Sequence, residues 1–208
     1  MNSSKATLQL FERSSKDAAW TSVTQGEPVM VGTNGLAWGY TFTGYKLEGE
    51  PEKHEGDKRT PAGFFALGPS FGFKPSKRKG HIQIQKGETI CVEDTASPYY
   101  NTITTRSAIG APPEAKMDEM GKTSLFRNGI FVQYASDAAS ARGSCILMHV
   151  WKTPTTTTKG CVALPEARVR VMLRFAAKGA VLGVLPETAR ERFPGCPLPA
   201  PEQTASTP

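Results

Sequence analysis

The residues best suited to chemistry lie in one short stretch of the chain. An apolar run, residues 145–150, carries His149 next to its end, and a threonine-rich loop then leads to Gly160 and Cys161. A cysteine is nucleophilic as its thiolate, and a nearby imidazole or helix N-terminus lowers the thiol pKa. We therefore predict that Cys161 and His149 are a nucleophile and its base. The N–H groups of Gly160 and Cys161 would hold an oxyanion, because glycine lets the backbone approach a substrate carbonyl.

Both residues also have an ordinary structural explanation. A cysteine that follows a glycine is commonly a small buried hydrophobe. A histidine at the end of a strand commonly packs in the core. Cysteine–histidine pairs occur in unrelated families, so the pair by itself does not decide between the two explanations.

The elements that would position this stretch are mostly strands. Alternating or short apolar runs predict them, and one helix is predicted from Pro165 to about Lys178, where Val169, Met172 and Leu173 repeat at helical spacing. The predicted strands are residues 7–11, 20–23, 29–31, 64–67, 81–85, 90–92, 130–134, 145–150 and 180–185.

The remaining segments set the domain boundaries. We expect an N-terminal tail over residues 1–6, one domain over residues 7–185 and a disordered tail over residues 186–208, which is rich in Pro, Ala, Ser and Thr. Residues 95–123 are polar and rich in turn residues, so they predict a long central loop with a short helix near residues 114–120.

Composition excludes several classes of protein. The chain has 208 residues, 38% of them hydrophobic, and no apolar run long enough to cross a membrane. Its net charge is +6, but the basic residues are scattered, and no nucleic-acid-binding motif is present, so nucleic acid is not an expected partner. The 3 histidines have no ligand spacing, so we expect neither a metal nor another cofactor.

The stretch around the cysteine resembles the signature of the L,D-transpeptidases with a YkuD-type catalytic domain. That signature is a histidine, a loop, then Ser or Thr, one residue, Gly-Cys and an aliphatic residue. Here it reads His149, then Thr158-Lys159-Gly160-Cys161-Val162. Other stretches are similar to one branch of the family: Gly32-Thr-Asn34-Gly35-Leu-Ala-Trp38-Gly39, Gly56-Asp57-Lys-Arg59-Thr60-Pro61-Ala62-Gly63, Cys91 to Asn101, and Gly143-Ser144-Cys145-Ile146.

The resemblance implies a fold and a reaction. The fold would be mostly β, a single YkuD-like β-sandwich or barrel domain with one helix in its C-terminal half. The cysteine would attack the bond between the third stem residue of peptidoglycan and D-alanine, and would form a thioester. An amine would then take the acyl group, giving a cross-link or an exchanged amino acid. Water as the acceptor would make the protein an L,D-carboxypeptidase, and a wall-targeting toxin of the same fold is a further alternative.

The resemblance also assigns roles to residues. Cys161 would be the nucleophile and His149 the base, with the backbone carbonyl of Val150 orienting the imidazole. Gly160 and Cys161 would supply the oxyanion donors.

Four more residues, Thr158, Lys159, Asp94 and Tyr99, are candidates to contact substrate. For Asp94 and Tyr99 the alternatives are a turn-capping aspartate and a packed tyrosine, and for Lys159 an exposed surface lysine. Lys159 stands where many family members carry histidine, and the residues after Cys161 lack the arginine or asparagine that is common there. These departures leave a wall-binding module without activity as a third hypothesis.

Two questions stay open at this point. Cys91 and Cys145 lie in family-like strands, where they are either a disulfide in an oxidising compartment or two buried thiols. The family implies the periplasm or cell wall, yet the first residues lack the apolar core of a secretory signal. We therefore expect a mature form or another route of export, with peptidoglycan stem peptides as partners and the oligomeric state undetermined.

Overall fold

The computed structural model describes residues 1–110, 117–194, 198–199 and 201. Within them the chain is mostly β with few helices, as predicted, and its main sheet is a curled mixed sheet that forms a half-barrel. The strands are β1 (Lys5–Leu8), β2 (Phe11–Glu12), β3 (Thr21–Ser22), β4 (Glu27–Met30), β5 (Leu36–Trp38), β6 (Thr60–Gly72), β7 (Ile82–Gln83), β8 (Thr89–Val92), β9 (Ile103–Thr105), β10 (Met117–Glu119), β11 (Asn128–Gln133), β12 (Leu147–Val150), β13 (Val162–Leu164) and β14 (Val181–Val184). The α-helices are α1 (Arg106–Ile109) and α2 (Glu166–Ala176), and 3-10 helices span Tyr40–Tyr45, Met120–Lys122, Ser124–Arg127 and Glu187–Arg192.

The main sheet has the strand order β1-β4-β13-β12-β11-β6-β14, with β5 and β7 also paired to β6. Its centre alternates parallel and antiparallel neighbours, since β12 pairs in parallel with β13 and antiparallel with β11. A second sheet has the order β10-β8-β9, and β2 pairs with β3 in a separate hairpin. The strands that carry the predicted chemistry therefore lie in the middle of the main sheet.

The two faces of the main sheet pack against different cores. In β12, Met148 and Val150 belong to the larger core, where they meet residues of α2 such as Val169. Leu147 points to the opposite face, into a smaller core that includes Phe71 and Phe126. This is the period-two alternation of a strand buried on both sides, which explains why β12 is almost wholly apolar.

Helix α2 closes the larger core. It begins after Pro165, whose fixed φ suits a helix start, and it buries Val169, Met172 and Leu173 against the sheet. The chain then turns at Gly179, which has a φ of +77°, and continues into β14. The predicted helix and the strand after it are thus present, with the helix ending two residues early.

The predicted long central loop is wrong over much of its length. β9, α1 and β10 lie inside residues 95–123, and β9 and β10 flank β8 in the small sheet. Of the helix predicted over residues 114–120, residues 117–119 form a strand, and residues 114–116 lie outside the described part of the chain. The sequence there lacks apolar alternation because these short strands are stabilised by pairing with β8 rather than by a buried face of their own.

The predicted tails are also partly ordered. β1 begins at Lys5, inside the expected N-terminal tail. At the other end, Glu187–Arg192 is a 3-10 helix, and Phe193 stacks on Tyr45 with ring centroids 4.3 Å apart. Arg192 adds an ion pair to Glu50 at 2.6 Å. A buried aromatic and an ion pair therefore hold this segment, and the rest of the predicted tail lies mostly outside the described residues.

Among the described residues, no helix is long and apolar enough to cross a membrane.

Gly129 gives a test of how tightly the smaller core is packed beneath the sheet. It pairs with His149 across β11 and β12 and with Phe71 across β6. A Cβ at this position would lie 2.2 Å from the Phe71 ring and 2.6 Å from the Met148 carbonyl oxygen. We expect Gly129→Ala to lower the free energy of unfolding by at least about 2 kcal/mol in urea denaturation, because neither neighbour can move freely.

The matched control for this substitution is Gly44→Ala. A Cβ on Gly44 meets nothing within 4 Å, and the residue is exposed. Its effect should stay within about 0.5 kcal/mol. Equal stability of the two variants would show that the smaller core is looser than the structure indicates.

Candidate active site

Strand pairing brings the predicted nucleophile and base to one face of the main sheet. Met148 pairs with Val162 and His149 with Ala163, so Cys161 is level with Leu147, two residues before the histidine. Side chains two apart on a strand share a face, and Leu147 and Cys161 both contact the smaller core. Neighbouring strands lie about 4.8 Å apart and two residues span about 6.6 Å, which separates the two Cα atoms by roughly 8 Å. An imidazole and a thiol can meet across that distance.

His149 is held in one tautomer. Its side chain is buried, with 5% of its surface exposed, and Nδ1 lies 2.9 Å from the Val150 carbonyl oxygen, the contact that the resemblance implies. A carbonyl only accepts, so Nδ1 carries the proton and donates it. Burial lowers the pKa of His149, which keeps the ring neutral at pH 7. Nε2 then has a lone pair, and the described residues give it no hydrogen-bond partner.

The ring of Phe126 fixes the imidazole from the side. Their centroids are 5.2 Å apart and the planes are nearly perpendicular, at 89°. Phe126 comes from the 3-10 helix at Ser124–Arg127 and packs in turn edge-on against Phe71. The Val150 carbonyl at Nδ1 and the edge of the Phe126 ring therefore orient the imidazole. Its Nε2 keeps a lone pair that can accept a proton.

Cys161 has a partly exposed side chain with a free thiol. Its Sγ donates to the Cys145 carbonyl oxygen at 3.6 Å, and no hydrogen bond joins it to His149 in this structure. Burial raises the pKa of Cys161 to about 12, against a smaller opposite effect of a hydrogen bond with the Leu147 backbone. The negative charges of Asp118 and Glu93 raise that pKa further.

The prediction that the local surroundings lower the thiol pKa is therefore wrong. β13 separates Cys161 from α2, so no helix N-terminus adjoins the sulfur. The imidazole is neutral and supplies no positive charge. The site therefore holds a protonated thiol and a neutral imidazole, and a thiolate would have to form by proton transfer.

Hydrogen bonds of two threonine hydroxyl groups stabilise the loop before Cys161. Thr158 Oγ1 donates to the Cys161 carbonyl oxygen at 2.6 Å, and Thr60 Oγ1 donates to the same oxygen at 3.2 Å. The Gly160 N–H donates to Thr158 Oγ1 at 3.1 Å. Gly160 has a φ of +148° and a Cβ there would lie 3.1 Å from the Arg59 carbonyl oxygen, so only glycine suits this close approach.

These bonds revise two predicted roles. Thr158 is buried and its hydroxyl is committed to the loop, so it positions Cys161 rather than contacting substrate. Of the two predicted oxyanion donors, the N–H of Gly160 is already bonded within the loop, which leaves the N–H of Cys161.

A disulfide, a backbone hydrogen bond and an unusual backbone conformation define the position of Cys145. A disulfide joins it to Cys91, with the Cα atoms 5.9 Å apart, so the structure selects the disulfide of the two states left open. Its N–H donates to Asn101 Oδ1 at 2.9 Å, and its φ of +55° is unusual for a residue with a side chain. The carbonyl that receives the Cys161 thiol is thus held in place by the small sheet.

A polar network supports the turn that leads to Cys145. Ser144 Oγ and the Tyr100 hydroxyl both donate to Glu55 Oε2, at 2.8 and 2.6 Å. Lys53 and Asp57 form an almost fully buried ion pair at 2.6 Å, and the Lys53 side chain lies against Gly143. The family-like segments around Asp57 and Gly143 therefore meet in space and stabilise the backbone beside the nucleophile.

Three predicted site residues remain: Asp94, Tyr99 and Lys159. Asp94 caps a turn, since Oδ1 accepts from the Ala96 N–H at 3.0 Å, which agrees with the structural alternative. Tyr99 is 44% exposed, so it is not the packed tyrosine of its alternative, and the buried neighbour is Tyr100. Lys159 is exposed beside the site.

Sequence reasoning missed three residues near the sulfur. Thr60 reaches the Cys161 carbonyl, and the charges of Glu93 and Asp118 act on the thiol. Thr60 belongs to one of the family-like stretches and its chemistry could have been noted. Glu93 also lies in a family-like stretch, Cys91 to Asn101, whereas nothing in the local pattern marks Asp118, which comes to the site through the pairing of β10 with β8.

No family model, curated protein or solved structure matches the chain. The chemistry that the site can perform follows from its own side chains. Among the described residues, no group of three or more His, Cys, Asp or Glu side chains is placed to hold a metal ion. What the site offers is a nucleophilic sulfur, a neutral base and a backbone N–H.

The raised pKa of Cys161 predicts slow alkylation in the free protein. With a pKa near 12 rather than the ordinary value, the thiolate fraction at pH 7.5 falls at least about 100-fold below that of an unperturbed thiol. Iodoacetamide labelling followed by intact mass should be correspondingly slow, and should still be accelerating with pH above 9. Replacing Cys196 by serine leaves Cys161 as the single thiol outside the disulfide.

Two controls accompany this measurement. Cys161→Ser in the same background should show no labelling, and glutathione sets the rate of an ordinary thiol. A labelling rate that reaches its plateau below pH 8 would show that the sulfur is stabilised as a thiolate, against the environment described above.

Proposed function

We propose that the protein is a cysteine acyltransferase of the peptidoglycan L,D-transpeptidase type. The observation that carries the proposal is the placement of Cys161 and a correctly protonated His149 on one face of adjacent parallel strands. Cys161 is a free cysteine that is only partly buried as a residue, which a cysteine of purely structural role does not require. The resemblance around both residues supplies the substrate class, a stem peptide that ends in D-alanine.

The first half of the reaction forms the acyl-enzyme. The thiol turns from the Cys145 carbonyl to Nε2 of His149 and gives up its proton as sulfur attacks the amide carbonyl carbon. The carbon–sulfur bond forms, and the N–H of Cys161 stabilises the negative oxygen. Collapse of this intermediate breaks the carbon–nitrogen bond, and Nε2 returns the proton to the nitrogen of the departing D-alanine. The products are a thioester and a neutral imidazole.

The second half transfers the acyl group. An amine attacks the thioester carbonyl, Nε2 removes a proton from the nitrogen, and the carbon–sulfur bond breaks. The proton passes to the sulfur and restores the thiol of Cys161. The same imidazole serves both halves because it begins and ends each one neutral.

A muropeptide assay tests the proposal. Incubation with a tetrapeptide-containing muropeptide should release D-alanine, and mass spectrometry identifies the second product as a cross-linked dimer, an exchanged amino acid or a hydrolysed monomer. We expect Cys161→Ala to abolish release, and His149→Ala to lower the rate by about 10²–10⁴-fold because it removes the base. A carbapenem, which mimics the acyl donor, should add its mass to wild type and not to Cys161→Ala.

The matched control is Cys196→Ser, which removes a thiol that the proposed reaction does not use and should keep full activity. Undiminished release by Cys161→Ala would exclude this sulfur as the nucleophile. Absence of both D-alanine release and carbapenem acylation in wild type would favour a wall-binding module instead. Exclusive formation of hydrolysed monomer would make the protein a carboxypeptidase.

A further inference from the structure

The fold collects onto one surface basic residues that are scattered in the sequence. Two segments, residues 73–81 between β6 and β7 and residues 165–179 around α2, hold eight of the 25 lysines and arginines and one of the 19 acidic residues. The net charge of +6 therefore comes from these two segments, and the rest of the chain is close to neutral. Arg78 joins them, because its Nη1 donates to the Leu173 carbonyl oxygen in the last turn of α2 at 3.1 Å.

Hydrogen bonds of one histidine give the loop between β6 and β7 a fixed shape. The imidazole of His81 closes the loop at its base, with Nδ1 2.9 Å from Ser70 Oγ and Nε2 3.0 Å from the Lys74 carbonyl oxygen. Residues 73–80 are all exposed. The lysine side chains of this segment therefore extend into solvent from a closed loop.

The solvent side of α2 continues this basic surface. The helix buries its apolar side against the larger core, which leaves Arg170 and Arg174 exposed and one turn apart. Arg170 shares the carboxylate of Glu166 with Arg127, at 2.8 and 2.7 Å, so one acid serves two arginines. Like charges one turn apart destabilise a helix slightly, so the stability of α2 does not explain this pair of arginines.

Five side chains of the loop and the helix make up what we call the basic face: Lys74, Lys77, Lys79, Arg170 and Arg174. Within the described part of the chain, Arg170 is the one member that takes part in an ion pair. The other four keep their charge uncompensated and exposed to solvent. A surface of this kind attracts a polyanion.

The scarcity of exposed apolar groups decides which kind of polyanion fits. The apolar side chains of α2 are buried, and Phe73, 38% exposed, is the one large apolar residue of the loop. A helix that binds a lipid surface needs a free apolar side, which α2 lacks. Single-stranded nucleic acid stacks successive bases on aromatic rings, and one ring does not provide such a platform. A hydrophilic polymer that carries acidic groups along its length fits the basic face best.

The helix of the basic face and the nucleophile lie on opposite sides of the main sheet. α2 packs on the larger core, whereas Cys161 contacts the smaller core. A polymer strand bound at the basic face therefore leaves the sulfur uncovered. Two strands of one network can be engaged at the same time, one on each side of the sheet.

We propose that the basic face binds carboxylates of peptidoglycan and holds the protein on the wall while Cys161 acts on a different stem. The choice of this polymer rests on the proposed function, under which the substrate stems end in the carboxylate of D-alanine. Arginine and lysine bind carboxylates through charge-assisted hydrogen bonds, and a network of stems presents many of them. Because each contact is exposed, binding depends on several contacts at once and falls as salt screens them.

The test measures how much protein sediments with purified sacculi, in a Cys161→Ala parent that prevents turnover. We expect binding at low ionic strength and release in 1 M NaCl, where the Debye length is about 3 Å. Lys77→Glu on the loop and Arg174→Glu on the helix should each weaken binding at least about fivefold. Sacculi whose carboxylates have been converted to neutral amides should retain no more of the parent than of these variants. Because the two substitutions are on different elements, one of them still decides the matter if the other fails to fold.

Lys16→Glu is the matched control. Lys16 is exposed in the segment between β2 and β3, and its substitution changes the net charge by the same amount as each test variant. It should bind sacculi as the parent does. With Cys161 restored, Lys77→Glu and Arg174→Glu should release D-alanine from a soluble muropeptide at the wild-type rate, because neither residue belongs to the catalytic site.

Equal binding by the parent and both charge variants, or undiminished binding to the amidated sacculi, would overturn the basic face as a carboxylate-binding surface. Tighter binding to phosphatidylglycerol vesicles or to DNA than to sacculi, lost in the same variants, would overturn it in favour of a membrane or a nucleic acid. Wild type that releases no D-alanine would remove the proposed function, whereas the sedimentation result alone decides the role of the basic face.

Discussion

The parallel pairing of β12 with β13 is the constraint on which the site depends. The two strands follow one another in sequence, and the threonine-rich loop between them returns the chain to begin β13 beside the start of β12. Because side chains alternate along a strand, a shift of one residue in this register would turn Cys161 into the larger core, away from His149. The hydroxyl groups of Thr158 and Thr60 donate to the carbonyl oxygen of Cys161, and these bonds fix the register of β13 at its start.

The electrostatics of the site favour a neutral pair over an ion pair. Burial acts in opposite directions on the two partners, because it disfavours the thiolate of Cys161 and the imidazolium of His149 alike. The proton therefore stays on sulfur in the free protein. A thiol in this form is also less easily oxidised than a thiolate, which suits a sulfur that has to remain free beside a disulfide.

The sequence predicted the elements that local interactions stabilise and missed those that depend on distant partners. β11, β12 and α2 carry their own apolar periodicity, and each was predictable within a few residues. In the small sheet, β8 was predicted as residues 90–92, whereas β9 and β10 were not, because they are short and polar and are defined by their pairing with β8. The predicted direction of the thiol pKa was wrong because burial of Cys161, which depends on tertiary packing, raises that pKa most, and Asp118 and Glu93, which are distant in sequence, raise it further.

One covalent bond ties the small sheet to the segment that leads into β12. The disulfide from Cys91 to Cys145 spans a sequence separation of 54 residues and holds the carbonyl that accepts from the Cys161 thiol. Because the nucleophile and its base depend on packing within the main sheet, the exposed residues of the small sheet can change without disturbing them. The placement of the thiol and the imidazole therefore depends on the register of β12 and β13, and the disulfide sets the position of the carbonyl that receives the thiol.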